Sequence, residues 1–119
     1  MTQTLPKRER LSGKTAINTL MKKGRWGGAG CLKYCVLSPG GDEVNRIMVS
    51  VSKRSFKRAV KRNLLKRRMR EAYRTQKHLL GDAGPLDLMM VYNSKEVLDY
   101  QIIRNDVAEI LTSFSTELD

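Results

Sequence analysis

The sequence predicts an α+β fold: one small domain with its elements in the order αββαβα and a sheet packed by helices. Three observations predict it. Apolar residues recur at helical spacing in three segments, short apolar or alternating runs of strand length lie between them, and glycine-rich breaks separate the elements. At 119 residues the chain suits a single domain, residues 1–119, able to bury roughly two-thirds of its unfolded surface without a metal or disulfide staple.

The first helix is expected at about residues 13–23. Ser12 is its candidate N-cap, Ala16, Ile17, Leu20 and Met21 follow at helical spacing, and Lys22, Lys23 and Gly24 suit its end. Residues 31–38 (CLKYCVLS) and 46–53 (RIMVSVSK) are expected as strands. The turn sequence from Pro39 to Asp42 lies between them, which predicts an antiparallel pair. In the second strand Ile47, Val49 and Val51 share one face, and Met48, Ser50 and Ser52 share a more polar one. A long helix follows from about Ala59 to Leu80, closed by Gly81. Leu86 to Tyr92 is an apolar strand. The last helix starts near Asp99, its N-cap, and carries Ile103, Val107, Ile110, Leu111, Phe114 and Leu118 as its apolar stripe. If the strands at 46–53 and 86–92 share a sheet, the general rule predicts a right-handed crossover through the long helix.

Charge is concentrated in one place. Twelve of the 23 Lys and Arg residues lie between Lys53 and Lys77, with Glu71 the single acid among them. That stretch therefore carries the entire net charge of +11, and the rest of the chain sums to zero. On the long helix Leu65, Met69, Ala72, Tyr73, Gln76 and Leu80 fall on one face, suited to docking. Asn63, Lys66, Arg67, Arg70, Arg74 and Lys77 fall on a neighbouring face, a stripe roughly 30 Å long. Like charges four residues apart cost a free helix ~0.2–0.5 kcal/mol per pair, and a surface made only for solubility intersperses acids. A one-signed, aligned stripe points instead to a polyanion. Arginine outnumbers lysine here, seven to five, which suits bidentate phosphate contacts. Six phosphates neutralised would make affinity fall ~10³-fold between 50 and 200 mM salt.

Other chemistries find little support. There is no P-loop, HExxH or GxSxG motif. Cys31 and Cys35 would stand ~13 Å apart on a strand, beyond disulfide reach. They read as small semi-buried hydrophobes, since a zinc site needs about four ligands and His78 is the only histidine. Asp82, Asp87, Glu96 and Asp99 read as solvated loop acids and an N-cap. No apolar run approaches the ~18 residues of a membrane span, and a basic helix on lipid would need bulky aromatics facing it. The N-terminus has no apolar signal core, so the expected location is cytoplasmic.

The segment SVSKRSFKRAVKRNLLKRRMREAYR resembles the protein subunit of bacterial ribonuclease P. The likeness rests on Val51-Ser52-Lys53, Ala59-Val60, Arg62-Asn63, Lys66-Arg67, Arg70-Glu71-Ala72 and Tyr73, and extends more weakly to LPKRERL, the helix ending at Gly24 and the strand after the long helix. The resemblance implies a fold like the second domain of ribosomal protein S5, with a left-handed crossover in place of the general rule. It implies binding to the catalytic RNA and to the 5′ leader of precursor tRNA, so that the holoenzyme, an endoribonuclease, removes the leader. Catalysis and Mg²⁺ would belong to the RNA subunit, with no catalytic or metal residue here. The expected RNA contacts are Lys53, Arg54, Arg58, Lys61, Arg62, Asn63, Lys66, Arg67, Arg70 and Arg74. The expected leader cleft, between the first helix and the sheet, has Ile17, Met21, Lys33, Cys35 and Ser50.

Three departures from the family pattern stand out. Leu64 replaces the second arginine of Arg-Asn-Arg, so that one ribose or phosphate contact is either missing or supplied by Arg68 or Lys61. The stretch from Lys53 to Ala59 is one residue longer and lacks the usual glycine. Ile17 and Met21 occupy places where the family shows aromatics, which predicts weaker stacking of leader bases, at ~1–3 kcal/mol per aromatic. The runner-up function is a ribosomal or other structural RNA-binding protein with no part in cleavage.

Overall fold

A computed structural model describes residues 6–81 and 83–117. Its elements are α1 (Lys14–Lys23), β1 (Arg25–Ala29), β2 (Leu32–Leu37), β3 (Arg46–Ser50), α2 (Ala59–Arg74), β4 (Asp87–Tyr92) and α3 (Tyr100–Glu117), with 3₁₀ turns at Lys7–Glu9 and Lys77–Leu80. They form an α+β structure with one four-stranded mixed sheet in the order β1-β2-β4-β3.

Two expectations about the sheet are corrected. The strands around 31–38 and 46–53 are not a hairpin pair: β4 lies between them, antiparallel to β2 and parallel to β3. The reason is burial. β4 is apolar on both faces, and only a central strand covers both. The hairpin partner of β2 is instead β1, which has no counterpart in the expected order. Its sequence, RWGGA, is too short and glycine-rich to carry an alternating signal. Gly30 turns that hairpin at φ 54°, a left-handed conformation that favours glycine.

Smaller corrections concern element ends. Gly13, at φ 95°, precedes α1, and no side chain caps it, so Ser12 is not the N-cap. β3 ends at Ser50 rather than at residue 53. The long helix stops at Arg74, where Gln76 takes φ −125° and a 3₁₀ turn continues to Leu80. Leu118 lies outside the described residues.

The two sheet faces differ. Ile47, Val49, Leu88, Met90 and Tyr92 meet the docking faces of α2 and α3 in the main core, with Leu65, Met69, Ala72, Tyr73, Ile103, Val107, Ile110, Leu111 and Phe114. Gln76, buried between the helices, donates from Nε2 to the carbonyls of Ala72 and Arg104, each at 3.0 Å. The opposite face carries only α1. There Leu20, Cys35, Met89 and Leu11 form a small second core, and Gly24 ends α1 so close to β2 that a Cβ would sit 2.6 Å from Cys35 Sγ. Both cysteines are free and buried, one in each core.

Asp87 is not a solvated loop acid. It is 3 % exposed and receives a two-point ion pair from Arg46, with Nε–Oδ1 and Nη2–Oδ2 both 2.9 Å, plus the Gly41 N–H at 3.1 Å. The pair fixes the β3–β4 register at its first row and ties down the loop around Gly41.

Candidate nucleic-acid interface

The expected basic residues divide by what holds them. Lys53 and Arg54 occupy a turn directly after β3, with Arg58, Lys61, Asn63 and Arg67 exposed along the first turns of α2. The turn forms without glycine: the Phe56 N–H returns to the Ser52 carbonyl at 3.1 Å, and Phe56 is buried against Tyr92. Arg62 stabilises it, donating from Nη1 to the carbonyls of Phe56 (2.7 Å) and Lys57 (2.9 Å). One nitrogen of Arg62 is therefore committed to the fold, and its other two have no hydrogen-bond partner among the described residues.

Further along, Arg74 is paired with Glu71, and Lys77 with Glu9 at 3.0 Å. These are the acid-compensated end of the stripe. Arg68 donates to the Leu98 carbonyl at 2.6 Å, tying α2 to the segment before α3. It points away from a replacement role for the arginine that Leu64 lacks, so exposed Lys61 is the better placed of the two.

Between these anchors Asn63, Lys66, Arg67 and Arg70 form the part of the stripe without acid partners among the described residues. The N-terminal segment adds a cation that the sequence pattern did not single out. Leu11 donates its N–H to the Ile47 carbonyl at 2.7 Å, and Arg10 bridges to Ile47 beside β3. This puts the Arg10 charge near Arg70, whose pKa is lowered by desolvation first and by Arg10 second. The Arg10 charge thus adds to the positive field at this part of the stripe. Val60, 78 % exposed in the first turn of α2, adds an apolar spot to this cationic surface.

The second candidate surface is the sheet face beside α1. Lys33 pairs with Val91, and Val91 with Ser50, so these three form one row across β2, β4 and β3. Cys35, Met89 and Met48 form the next row. Ile17 is half-buried and Met21 is 48 % exposed on α1 alongside. The five residues expected in the cleft lie on one side of the sheet, but Cys35 is completely buried, its Sγ–H directed to the Leu20 carbonyl at 3.4 Å. Burial leaves it no surface to offer a ligand. Trp26, opposite Cys35 on β1 and half-exposed, shares this face; it was hidden because its strand was.

A family model for ribonuclease P matches residues 5–115 of the sequence. The chain belongs to this family. A ribonuclease P protein component of Porphyromonas gingivalis is 44 % identical over 80 residues, covering 66 % of this chain and 58 % of that protein. One of Chlorobaculum tepidum is 37 % identical over 91 residues, covering 72 % of this chain and 59 % of that protein. The chain thus matches less than two-thirds of the length of these relatives. Among solved structures, the ribonuclease P protein of Thermotoga maritima superposes with a TM-score of 0.76 at 22 % identity, covering 89 % of this chain and 97 % of that one. The fold described above is the family's fold.

No three His, Cys, Asp or Glu side chains among the described residues converge to hold a metal ion. No described helix is long and apolar enough to cross a membrane.

Proposed function

We propose that this chain acts as the protein subunit of ribonuclease P, with residues 1–119 serving as a single RNA-binding domain in the cytoplasm. The observation that carries the reading is the acid-free run Asn63, Lys66, Arg67 and Arg70 on α2, in a chain of this family. Its partners are ribonuclease P RNA and precursor tRNA. Lys53, Arg54, Arg58, Lys61, Lys66, Arg67 and Arg70 neutralise closely spaced phosphates, Arg62 does so with the donors its loop leaves over, and Asn63 pairs with a ribose hydroxyl or base edge. Arg74 has a smaller share because Glu71 already offsets its charge.

The row Lys33–Val91–Ser50, with Ile17 and Met21 beside it, receives the single-stranded 5′ leader. None of these groups makes or breaks a bond. Mg²⁺, held by the RNA subunit, supplies the hydrolytic chemistry when bound, and no cluster suited to holding it occurs among the described residues. The protein's contribution is to hold leader and RNA in register, which converts binding into correct positioning.

Reconstitution with ribonuclease P RNA and a precursor tRNA at low Mg²⁺ tests the proposal. The expected result is faster release of the 5′ leader than with the RNA alone. Tight RNA binding with no gain in cleavage would instead support a ribosomal or other structural RNA-binding role.

A further inference from the structure

The edge strand β1 carries a feature that neither the basic helix nor the α1 cleft explains. Trp26 is the only tryptophan of the chain, and half of it is exposed. It lies opposite Cys35, hence on the α1 side of the sheet. Two residues on, Gly28 lies opposite Lys33 on the same side. A side chain at Gly28 would meet only the Leu32 carbonyl oxygen, at 3.3 Å, so the strand is bare there. Its neighbour Gly27 is different: a Cβ would strike the Tyr34 ring, which packs on the other face against Phe114 at 5.1 Å. Gly27 serves packing, whereas Gly28 leaves an open floor.

Around that floor Trp26, Gly28, Lys33 and Asn93 line a shallow pocket of about 480 Å³. Asn93 is exposed, and no described residue hydrogen-bonds its side-chain amide. Residues 14–29 include Lys14, Lys22, Lys23 and Arg25 and no acid. An indole face, a bare strand, a cation and an amide able to donate and accept fit one flat nucleobase and its phosphate. An apolar protein segment would gain nothing from the surrounding positive charge.

We infer that Trp26 stacks on an unpaired base of the RNA substrate, with Lys33 on the adjoining phosphate and Asn93 on the base edge. The inference rests on the proposed function and refines it. Lys33 belongs both to this pocket and to the row Lys33–Val91–Ser50, so one strand of RNA can run from the cleft onto β1. The stacking partner that α1 lacks at Ile17 and Met21 is supplied from the sheet edge.

Holoenzyme reconstituted with wild-type protein, Trp26→Phe and Trp26→Leu is the material for the test, after equal urea midpoints establish that all three fold. Affinity is measured for precursor tRNA and for leaderless tRNA. Trp26→Leu is expected to weaken precursor binding by about 5- to 150-fold and to leave leaderless tRNA unaffected, while Trp26→Phe retains most of the affinity. An abasic nucleotide at one leader position should weaken the wild type and not Trp26→Leu. If wild-type protein accelerates cleavage but Trp26→Leu binds precursor equally well, the stacking role is overturned and the proposed function stands. If wild-type protein gives no acceleration, the proposed function fails first. Quenching of the lone tryptophan by a short single-stranded RNA then decides the pocket, and a titration without quenching overturns it.

Discussion

At the scale of single residues, burial sets chemistry more than neighbours do. The Tyr73 hydroxyl is fully buried and has no hydrogen-bond partner among the described residues, and burial, then the charge of Glu9, raises its pKa. An orphaned buried hydroxyl costs ~1–3 kcal/mol, so Tyr73→Phe should raise stability by about 1 kcal/mol in urea unfolding. A clear loss of stability would mean that the hydroxyl has a partner in solution. Cys31 behaves similarly. Burial, then Asp106, pushes its thiol from 9.0 up to about 12. The folded state thus holds the proton more tightly than the unfolded chain. Stability from this source is complete below pH ~9 and falls as pH rises toward 12. Alkaline titration of Cys31→Ser should show a shallower decline than the wild type over that window. At neutral pH the thiol should react slowly with disulfide reagents, because little thiolate forms.

At the scale of elements, α2 shows what a sequence pattern can and cannot reveal. Its docking face was legible because 3.6-residue spacing fixes which side chains share a side, and all six expected docking residues are buried. The cationic stripe was legible for the same reason. What spacing could not reveal is which cations are already compensated, because Glu9 reaches Lys77 from far along the chain. The consequence is measurable. Lys66→Ala, Arg67→Ala and Arg70→Ala should each reduce the slope of log affinity for RNA against log salt by about 1. Arg74→Ala should change it much less. Equal effects at all four positions would show that the Glu71 pair opens on binding. The strands repeat the lesson. Alternation in 46–53 identified its core face correctly, but period 2 says nothing about which strand lies alongside. Neighbour order came from burial of β4, and β1 escaped because two of its five residues are glycine.

At the scale of the whole molecule, the charge asymmetry places the full net charge of +11 on the segment from Lys53 to Lys77. That self-repulsion favours the unfolded chain, and any anion bound only by the native state offsets it. Sulfate should therefore raise the melting temperature more than chloride at equal ionic strength, and a short RNA should do so at far lower concentration. Identical shifts for sulfate and chloride would reduce the effect to simple screening. The two candidate surfaces also divide the molecule. α2 and α3 seal one face of the sheet, and α1 leaves part of the other open.

The central position of β4 has a consequence for how the protein comes into being. β2 and β3 each hydrogen-bond to β4 and not to one another. During synthesis, the first eighty or so residues include the complete basic helix but lack the strand that joins the two halves of the sheet. Sheet closure waits for Tyr92 to leave the ribosome, and pairing between such distant segments is intrinsically slow. Throughout that interval the most cationic part of the nascent chain is already made, without its docking partner and surrounded by ribosomal RNA.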